Sequence, residues 1–442
     1  MNITVTAERP QNDKVAAKVV VSAKDVDSAI AQAYKDIAQK YSFQGFRRGR
    51  APRPVIDGMV GREAVFAQAT ENLMNVAQPM MYEELDIVPV DRPDYGEDPA
   101  LVVEHEDFVI EATIPVPPTC ELDSYDAPAI SMPPAEATEA EVEQQIEQLL
   151  SYHVSYEDET EERAAVEGDV IVVDIENKEG APELAGTDRQ LSLRKGYLPE
   201  ELAEGIEGMT KGETKDVEWS HAHGDHEHKT AVTVTLKTIK KAVTPELTDE
   251  FTKKSFGFDT VAELRDAVKE EIEEDKKQSL PALKEDRVVE EIGKHLVLEE
   301  VPEAYQNQVF SELANEFLSQ LQRQGMSLDM YLGARGIKSD EFLADLREQA
   351  EERARQSLAL DALADKLEFT ATTDEVRAEF ERAGVEDVEK SMSEFLENGQ
   401  MPAVRESIRR TKAVKWLAEN ATVTEVDEIA EARAKKAEEA GE

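Results

Sequence analysis

A multidomain α+β chain is the fold class this sequence predicts, and three observations predict it. Strand-like runs flank helical segments in the first 118 residues. Period-two runs punctuated by glycines occupy residues 168–240. Beyond Thr244-Pro245 the pattern is almost wholly helical. A length of 442 residues suggests two to four domains. Apolar residues make up 40% of the chain, aromatics 6% and charged residues 33%, so its cores must be aliphatic and its surface heavily charged. That balance favours an extended, helix-rich molecule over one compact globule.

The first unit, residues 1–118, reads as mixed α/β. Val15 to Val21 is strand-like, and Asp25 to Tyr41 is helical because Val26, Ala29, Ile30, Ala33, Tyr34 and Ile37 recur at spacings of three and four. A second helix is expected from about Pro54 to Leu85. Between the two helices lies Gly45-Phe46-Arg47-Arg48-Gly49-Arg50-Ala51-Pro52. Its glycines permit a tight turn that exposes Phe46 and the flanking arginines, and Pro52 blocks simple helix continuation. Strand signals return at Leu101-Val102-Val103 and at Phe108-Val109-Ile110. Ile114-Pro115-Val116-Pro117-Pro118 is an extended exit.

Charge sets this octapeptide apart. The chain has 96 acidic and 50 basic residues, a formal net charge of −46, yet from Lys40 to Arg62 there are six bases and one acid, Asp57. A positive cluster on an anionic body points to a large negatively charged partner and fixes which end approaches first. Broad affinity for nucleic acid is excluded, because most of the surface repels phosphates; no DNA partner is expected.

Residues 119–160 read as an extended linker leading into the first segment of a helical domain, with a helix from Glu139 to Tyr152. Residues 135–169 carry twelve acids and one base, Arg163. Strand character follows in residues 161–241: Val170 to Val173, Leu191 and Leu193, then Val232 to Leu236, with Gly205, Gly208 and Gly212 between. Residues 242–430 form a helical domain. Val309, Phe310, Leu313, Phe317 and Leu321 make one stripe ended by Gly325, and further helices are expected over Asp340–Leu367 and Met401–Glu419. Residues 431–442 have no apolar face and are expected to fray.

The octapeptide resembles the ribosome-docking signature of the bacterial trigger factor family, chaperones that wait at the nascent-chain exit. The resemblance spans essentially the whole chain, with further markers at Thr244 to Phe251, Val301-Pro302 and Ala354 to Leu367. It implies an N-terminal ribosome-binding domain, an inserted FKBP-type antiparallel β domain and an elongated all-α C-terminal chaperone domain with arms. It implies docking through Gly45, Phe46, Arg47, Arg48, Gly49, Arg50 and Pro52 to ribosomal protein and nearby rRNA. Nascent and unfolded polypeptides are the implied clients, and a second copy of the chain, held weakly, is a further expected partner. Client contact is assigned to Met326, Met330, Tyr331 and Leu332, since methionine adapts to irregular apolar shapes; packing of helix ends is the competing reading of these four. No Gly-x-x-x-x-Gly-Lys-Ser/Thr loop occurs in the sequence, so nucleotide-driven cycling has no support, and no cofactor is expected.

Gly168-Asp169-Val170, Asp174 and the run Leu202-Ala203-Glu204-Gly205-Ile206-Glu207-Gly208-Met209 look like an FKBP-type prolyl isomerase domain. Such domains lower an isomerisation barrier of about 18–20 kcal/mol by binding the twisted imide better than the planar one. Where that family places aromatics, this chain offers Ile175, Leu184, Leu202 and Val232, and Ala185 takes the place of its acid. The substrate-holding N–H falls on Pro199 in one alignment and on Leu198 in another; proline has none to give. The resemblance implies isomerase activity, and these residues predict a weakened one. A chain that is mainly an isomerase, with arms that recruit substrates, is the alternative.

His221-Ala222-His223-Gly224-Asp225-His226, with His228, matches a metallohydrolase ligand pattern. The further ligands and the large sandwich such enzymes need are missing, so a polar loop is the preferred reading and no metal is assigned. The single cysteine, Cys120, excludes an intrachain disulfide and fits a reducing cytoplasm. Met1-Asn2-Ile3-Thr4-Val5 lacks the basic start and apolar run of a secretory signal, and no stretch has the apolar length to span a bilayer.

Overall fold

The computed structural model describes residues 1, 3–96, 100–160, 162–194, 197–223 and 226–439; the side chains of 221–223, 226–228 and 439 lie outside the description. In chain order the elements are β1 (Ile3–Gln11), β2 (Lys14–Val21), α1 (Ala23–Lys40), α2 (Arg53–Val60), α3 (Arg62–Leu85), β3 (Phe108–Pro115), β4 (Glu121–Leu122), β5 (Ala129–Met132), α4 (Glu139–Ser151) and β6 (Ser155–Asp158). Next come β7 (Val170–Glu179), β8 (Gly186–Ser192), α5 (Glu200–Ile206), β9 (Thr214–His223), β10 (His226–Val243), α6 (Asp249–Ser255) and α7 (Val261–Lys294). The remainder are β11 (Leu296–Val297), α8 (Glu303–Arg323), α9 (Leu328–Arg335), α10 (Ser339–Lys366), α11 (Thr373–Arg382), α12 (Val388–Glu397), α13 (Met401–Asn420), β12 (Thr422–Glu425) and α14 (Glu428–Glu439). The mixed α/β class, with an antiparallel sheet domain before a helical C-terminal region, is the one the sequence predicts. The chain divides into two units, residues 1–132 with 281–424 and residues 133–280 with 425–442.

In the first unit β1, β2 and β3 form an antiparallel sheet in that order. Val15, Val19 and Val21 of β2 lie beside Ile114, Ile110 and Phe108 of β3. Their alternation puts these side chains on the face that packs on Val26, Ile30 and Ile37 of α1 and on Val65, Ala69 and Leu73 of α3. Two details depart from the sequence reading. The helix expected over 54–85 breaks at Gly61, whose φ of 92° leaves helical space and starts α3 afresh. Leu101-Val102-Val103 pairs in no strand; Val102 is buried, and its N–H donates to Thr70 Oγ1 at 3.0 Å.

The helices of this unit pack on the same body. α8 and α13 lie against α10, whose Leu358, Ala359, Leu363 and Ala364 are buried. Phe380 of α11 meets Phe395 of α12 edge-on at 4.9 Å. The region is not purely helical: β11 pairs with β4 and β12 with β5, so the linker residues contribute strands to it. Gly399 lies so close to Pro79 of α3 that a Cβ there would come within 2.8 Å of the Pro79 Cα.

In the second unit, β10 pairs antiparallel with β6, β7 and β9, and β7 with β8. Ile171, Val173, Val234, Leu236 and Trp219 are buried between this sheet and α5. α4 and the first half of α7 share Val142, Ile146, Leu264 and Val268. The buried Lys276 ties them, donating to the carbonyls of Pro134 and Glu136 at 2.8 and 3.0 Å and pairing with Glu141 at 2.6 Å. The tail expected to fray from Glu431 is helical through Glu439, and Arg433 bonds Glu143 and Glu147 of α4 at 3.3 and 2.9 Å.

Candidate functional site

The basic octapeptide closes the turn between α1 and α2. Phe43, just ahead of it, is 4% exposed and plugs the core, whereas Phe46 is 43% exposed. Two backbone bonds shape the turn: the Phe46 N–H donates to Phe43 O at 3.1 Å and the Arg50 N–H to Arg47 O at 2.9 Å. Gly45 and Gly49 have φ of 86° and 78°, where a Cβ is strained. The Arg47 and Arg50 side chains are exposed and make no hydrogen bond or ion pair among the described residues. Arg48 is exposed but committed: Nε donates to Gln39 O at 2.6 Å and Nη2 to Lys40 O at 3.2 Å.

The base of the turn is pinned by contacts that the sequence reading did not foresee. Tyr34 of α1 donates to Asp57 of α2 at 2.6 Å; burial and this carboxylate push its hydroxyl pKa up to about 12. Arg53 lies 4.7 Å over the Tyr34 ring and bonds Glu104 at 3.1 Å; Arg62 bonds the same carboxylate at 2.6 Å. So the one acid in the cluster is taken by a tyrosine, and two of its six bases are neutralised by an acid from far along the chain.

The five apolar positions assigned to the isomerase pocket come together in one cluster. Ile175, Leu202 and Val232 are 3%, 0% and 0% exposed, so they present no surface to a substrate; Leu184 and Leu198 are half-buried at its edge. Pro199 is the N-cap of α5, and the Leu198 N–H makes no hydrogen bond among the described residues. Of the alignments, the one on Leu198 has a donor to offer.

The four client-contact candidates separate by burial. Met330 is 62% exposed, Met326 and Tyr331 are half-buried, and Leu332 is 5% exposed inside the unit. Tyr331 of α9 sits edge-on to Phe317 of α8 at 5.2 Å, and Phe317 stacks on Phe342 of α10 at 5.1 Å. Phe310, Leu313 and Phe317 on α8 are also only half-buried. The histidine-rich segment has its backbone in the β9–β10 hairpin, where His221 pairs with His228 and His223 with His226. Gly224 and Asp225, and the side chains of the four histidines, lie outside the described residues.

Two family models match the chain: bacterial trigger factor protein over residues 1–149 and bacterial trigger factor protein C-terminus over residues 260–419. The trigger factor of Lysinibacillus sphaericus is 31% identical over 418 residues, covering 92% of this chain and 96% of that protein. The trigger factor of Carboxydothermus hydrogenoformans is 31% identical over 437 residues, covering 94% and 99%. The chain belongs to the trigger factor family. Ribosome-associated chaperone function comes with that membership. The trigger factor of Halothermothrix orenii is 28% identical over 427 residues, covering 94% and 99%.

The segments matched by the two trigger factor models meet inside the first unit through α13. Arg405 forks onto Glu83 at 2.9 and 3.0 Å and bonds Asp86 at 2.8 Å, both at the end of α3. Arg409 bonds Phe369 O at 3.0 Å and pairs with Asp365. Arg410 forks onto Asp361 at 2.7 and 2.6 Å and also pairs with Glu406. Burial, with the neighbouring Asp361 carboxylate, raises the Glu406 carboxyl to about 7 against the pull of Arg410. No helix among the described residues is long and apolar enough to cross a membrane.

Proposed function

We propose that this trigger factor docks on ribosomal protein and nearby rRNA at the nascent-chain exit, in the cytoplasm, through Phe46, Arg47 and Arg50, and holds emerging chains without ATP. One observation carries the reading: on a chain of net charge −46, the turn between α1 and α2 offers an exposed aromatic and two exposed guanidiniums with no partner among the described residues. Such a tip is attracted to an anionic partner while the rest of the surface is repelled. Half-buried aromatics and the exposed Met330 where α8, α9 and α10 meet supply the apolar surface for clients of unrelated sequence. Binding there is weak, since a client must leave to fold. Co-sedimentation with ribosomes tests the docking: a chain with Phe46, Arg47 and Arg50 all replaced by alanine stays in the supernatant, whereas pelleting at the wild-type level refutes the assignment.

A second activity has its own support. The Leu198 N–H, without a partner among the described residues, and the half-buried Leu184 and Leu198 against the core give the middle domain a donor and an apolar edge for an X–Pro bond. Aliphatic side chains in place of aromatics make it a slow prolyl isomerase. Proline-limited refolding measures this directly, with rates well below those of aromatic-lined FKBP-type enzymes expected. Deleting residues 165–241 should leave suppression of aggregation largely intact; its complete loss favours the alternative in which isomerisation comes first. Membership of a chaperone family argues against the metallohydrolase reading of the histidine segment.

A further inference from the structure

We propose that Arg48 is a positioning residue: its guanidinium fastens the docking loop to the end of α1, and Phe46, Arg47 and Arg50 alone touch the ribosome. The inference rests on the docking reading above and divides the basic motif into residues that hold and residues that are offered.

The last four carbonyls of a helix have no partner within it. In α1 the last helical bond runs from the C-cap Tyr41 N–H to Ile37 O, so the carbonyls of Ala38, Gln39 and Lys40 lie beyond it, and each of these three finds a donor. Ile37 O accepts from the Tyr41 N–H at 3.0 Å, and Ala38 O from the Gly49 N–H at 2.8 Å. Gln39 O and Lys40 O accept from Arg48 Nε and Nη2 at 2.6 and 3.2 Å. The partners of these three carbonyls are thus all supplied by Arg48 and Gly49, from inside the motif. The guanidinium also sets its positive charge against the negative end of the helix dipole. Gly49 allows the approach: at its φ of 78° a Cβ is strained, and one built there would lie 3.5 Å from Gln39 Cγ. With the chain clamped at 48–49 and turned at 43–46, Phe46 and Arg47 stand outward between two fixed points. Arg48 has spent two directions of its fork on backbone oxygens that a lysine's single nitrogen cannot span in the same way.

The test is equilibrium binding of the full-length chain to purified ribosomes between 50 and 200 mM KCl, with hydrogen exchange of the loop amides alongside. A side chain that neutralises a partner anion contributes to the salt dependence, so Arg47→Gln and Arg50→Gln should each weaken binding and reduce the slope of log K against log salt by about 1. Arg48→Gln should weaken binding by about tenfold, through loss of loop order, with the slope unchanged. It should also remove protection from the Gly49 amide, which the Arg47 and Arg50 variants keep. Arg48→Lys should fail to restore affinity, whereas Arg47→Lys should keep most of it. If Arg48→Gln lowers the slope as Arg47→Gln does, or leaves the Gly49 amide protected, Arg48 is a contact residue and the proposal is wrong. If Arg47→Gln and Arg50→Gln leave binding untouched, the docking reading falls and takes the proposal with it.

Discussion

The basic loop and the core of the sheet domain were both picked out by side-chain type, and the chain treats them in opposite ways. At Gly45–Pro52 the backbone is fixed by hydrogen bonds to α1, and the aromatic and two arginines face water. In the sheet domain Ile175, Leu202 and Val232 are sealed inside, and only Leu184 and Leu198 reach its edge. A cluster of guanidiniums has to stay near the surface, so its sequence position almost gives its role. An aliphatic residue fits a core and a pocket equally well, and only the fold separates them.

The sharpest way to break this comparison is a truncation on each side of it. Leu202→Ala should destabilise the sheet domain by about 2–5 kcal/mol, as deleting a buried leucine does, and ribosome affinity should be unchanged. Phe46→Ala should do the reverse, leaving the thermal midpoint where it was. A mild effect of Leu202→Ala on chemical denaturation would show that the residue lines an open pocket after all.

Stability against pH probes the α13 junction. The folded chain keeps the Glu406 proton up to about pH 7, whereas an ordinary glutamate loses it near 4.5. The folded state therefore binds more protons across that window, and stability falls as pH rises through it. Glu406→Gln should flatten this dependence and gain on the order of 1–3 kcal/mol at pH 8 relative to the parent. Unchanged denaturation curves at pH 5 and pH 8 in both proteins would mean that Glu406 is ionised throughout.

A smaller effect is expected at the turn. Gly49→Ala should cost about 1–2 kcal/mol of local strain, read as faster exchange of the amides of 46–50, with the global melt barely moved. The smallest is at the α8–α10 tip: Met330→Ser should change stability by less than about 0.5 kcal/mol and lower aggregation suppression modestly. Leu332→Ala should instead be felt chiefly as lost stability. Equal effects of the two on holding would erase the distinction between exposed and buried candidates.

Much of the fold was legible where periodicity is strong. The β2 alternation, the α1 stripe, α10 and α13 all follow from side-chain spacing that the core enforces. The break at Gly61 escaped, because a glycine inside an apolar pattern shows its positive φ only in the chain path. β1 escaped although Ile3-Thr4-Val5-Thr6 alternates, because this edge strand half-buries only Ile3 and Val5 and leaves the rest exposed. The same holds for the tail, where α14 draws on Arg433 pairing with α4 rather than on an apolar face. At the docking loop the motif was readable, but the split between Arg47 and Arg48 was not: it depends on carbonyl oxygens at 39 and 40 that no side-chain pattern reveals.

The claim that this loop is the part of the molecule that meets the ribosome can be tested by a reporter placed on it. In a Cys120→Ser background, an environment-sensitive fluorophore on a Phe46→Cys chain should shift its emission as ribosomes are added and saturate with the binding curve. A fluorophore that stays unchanged while the labelled chain still pellets with ribosomes would contradict the account.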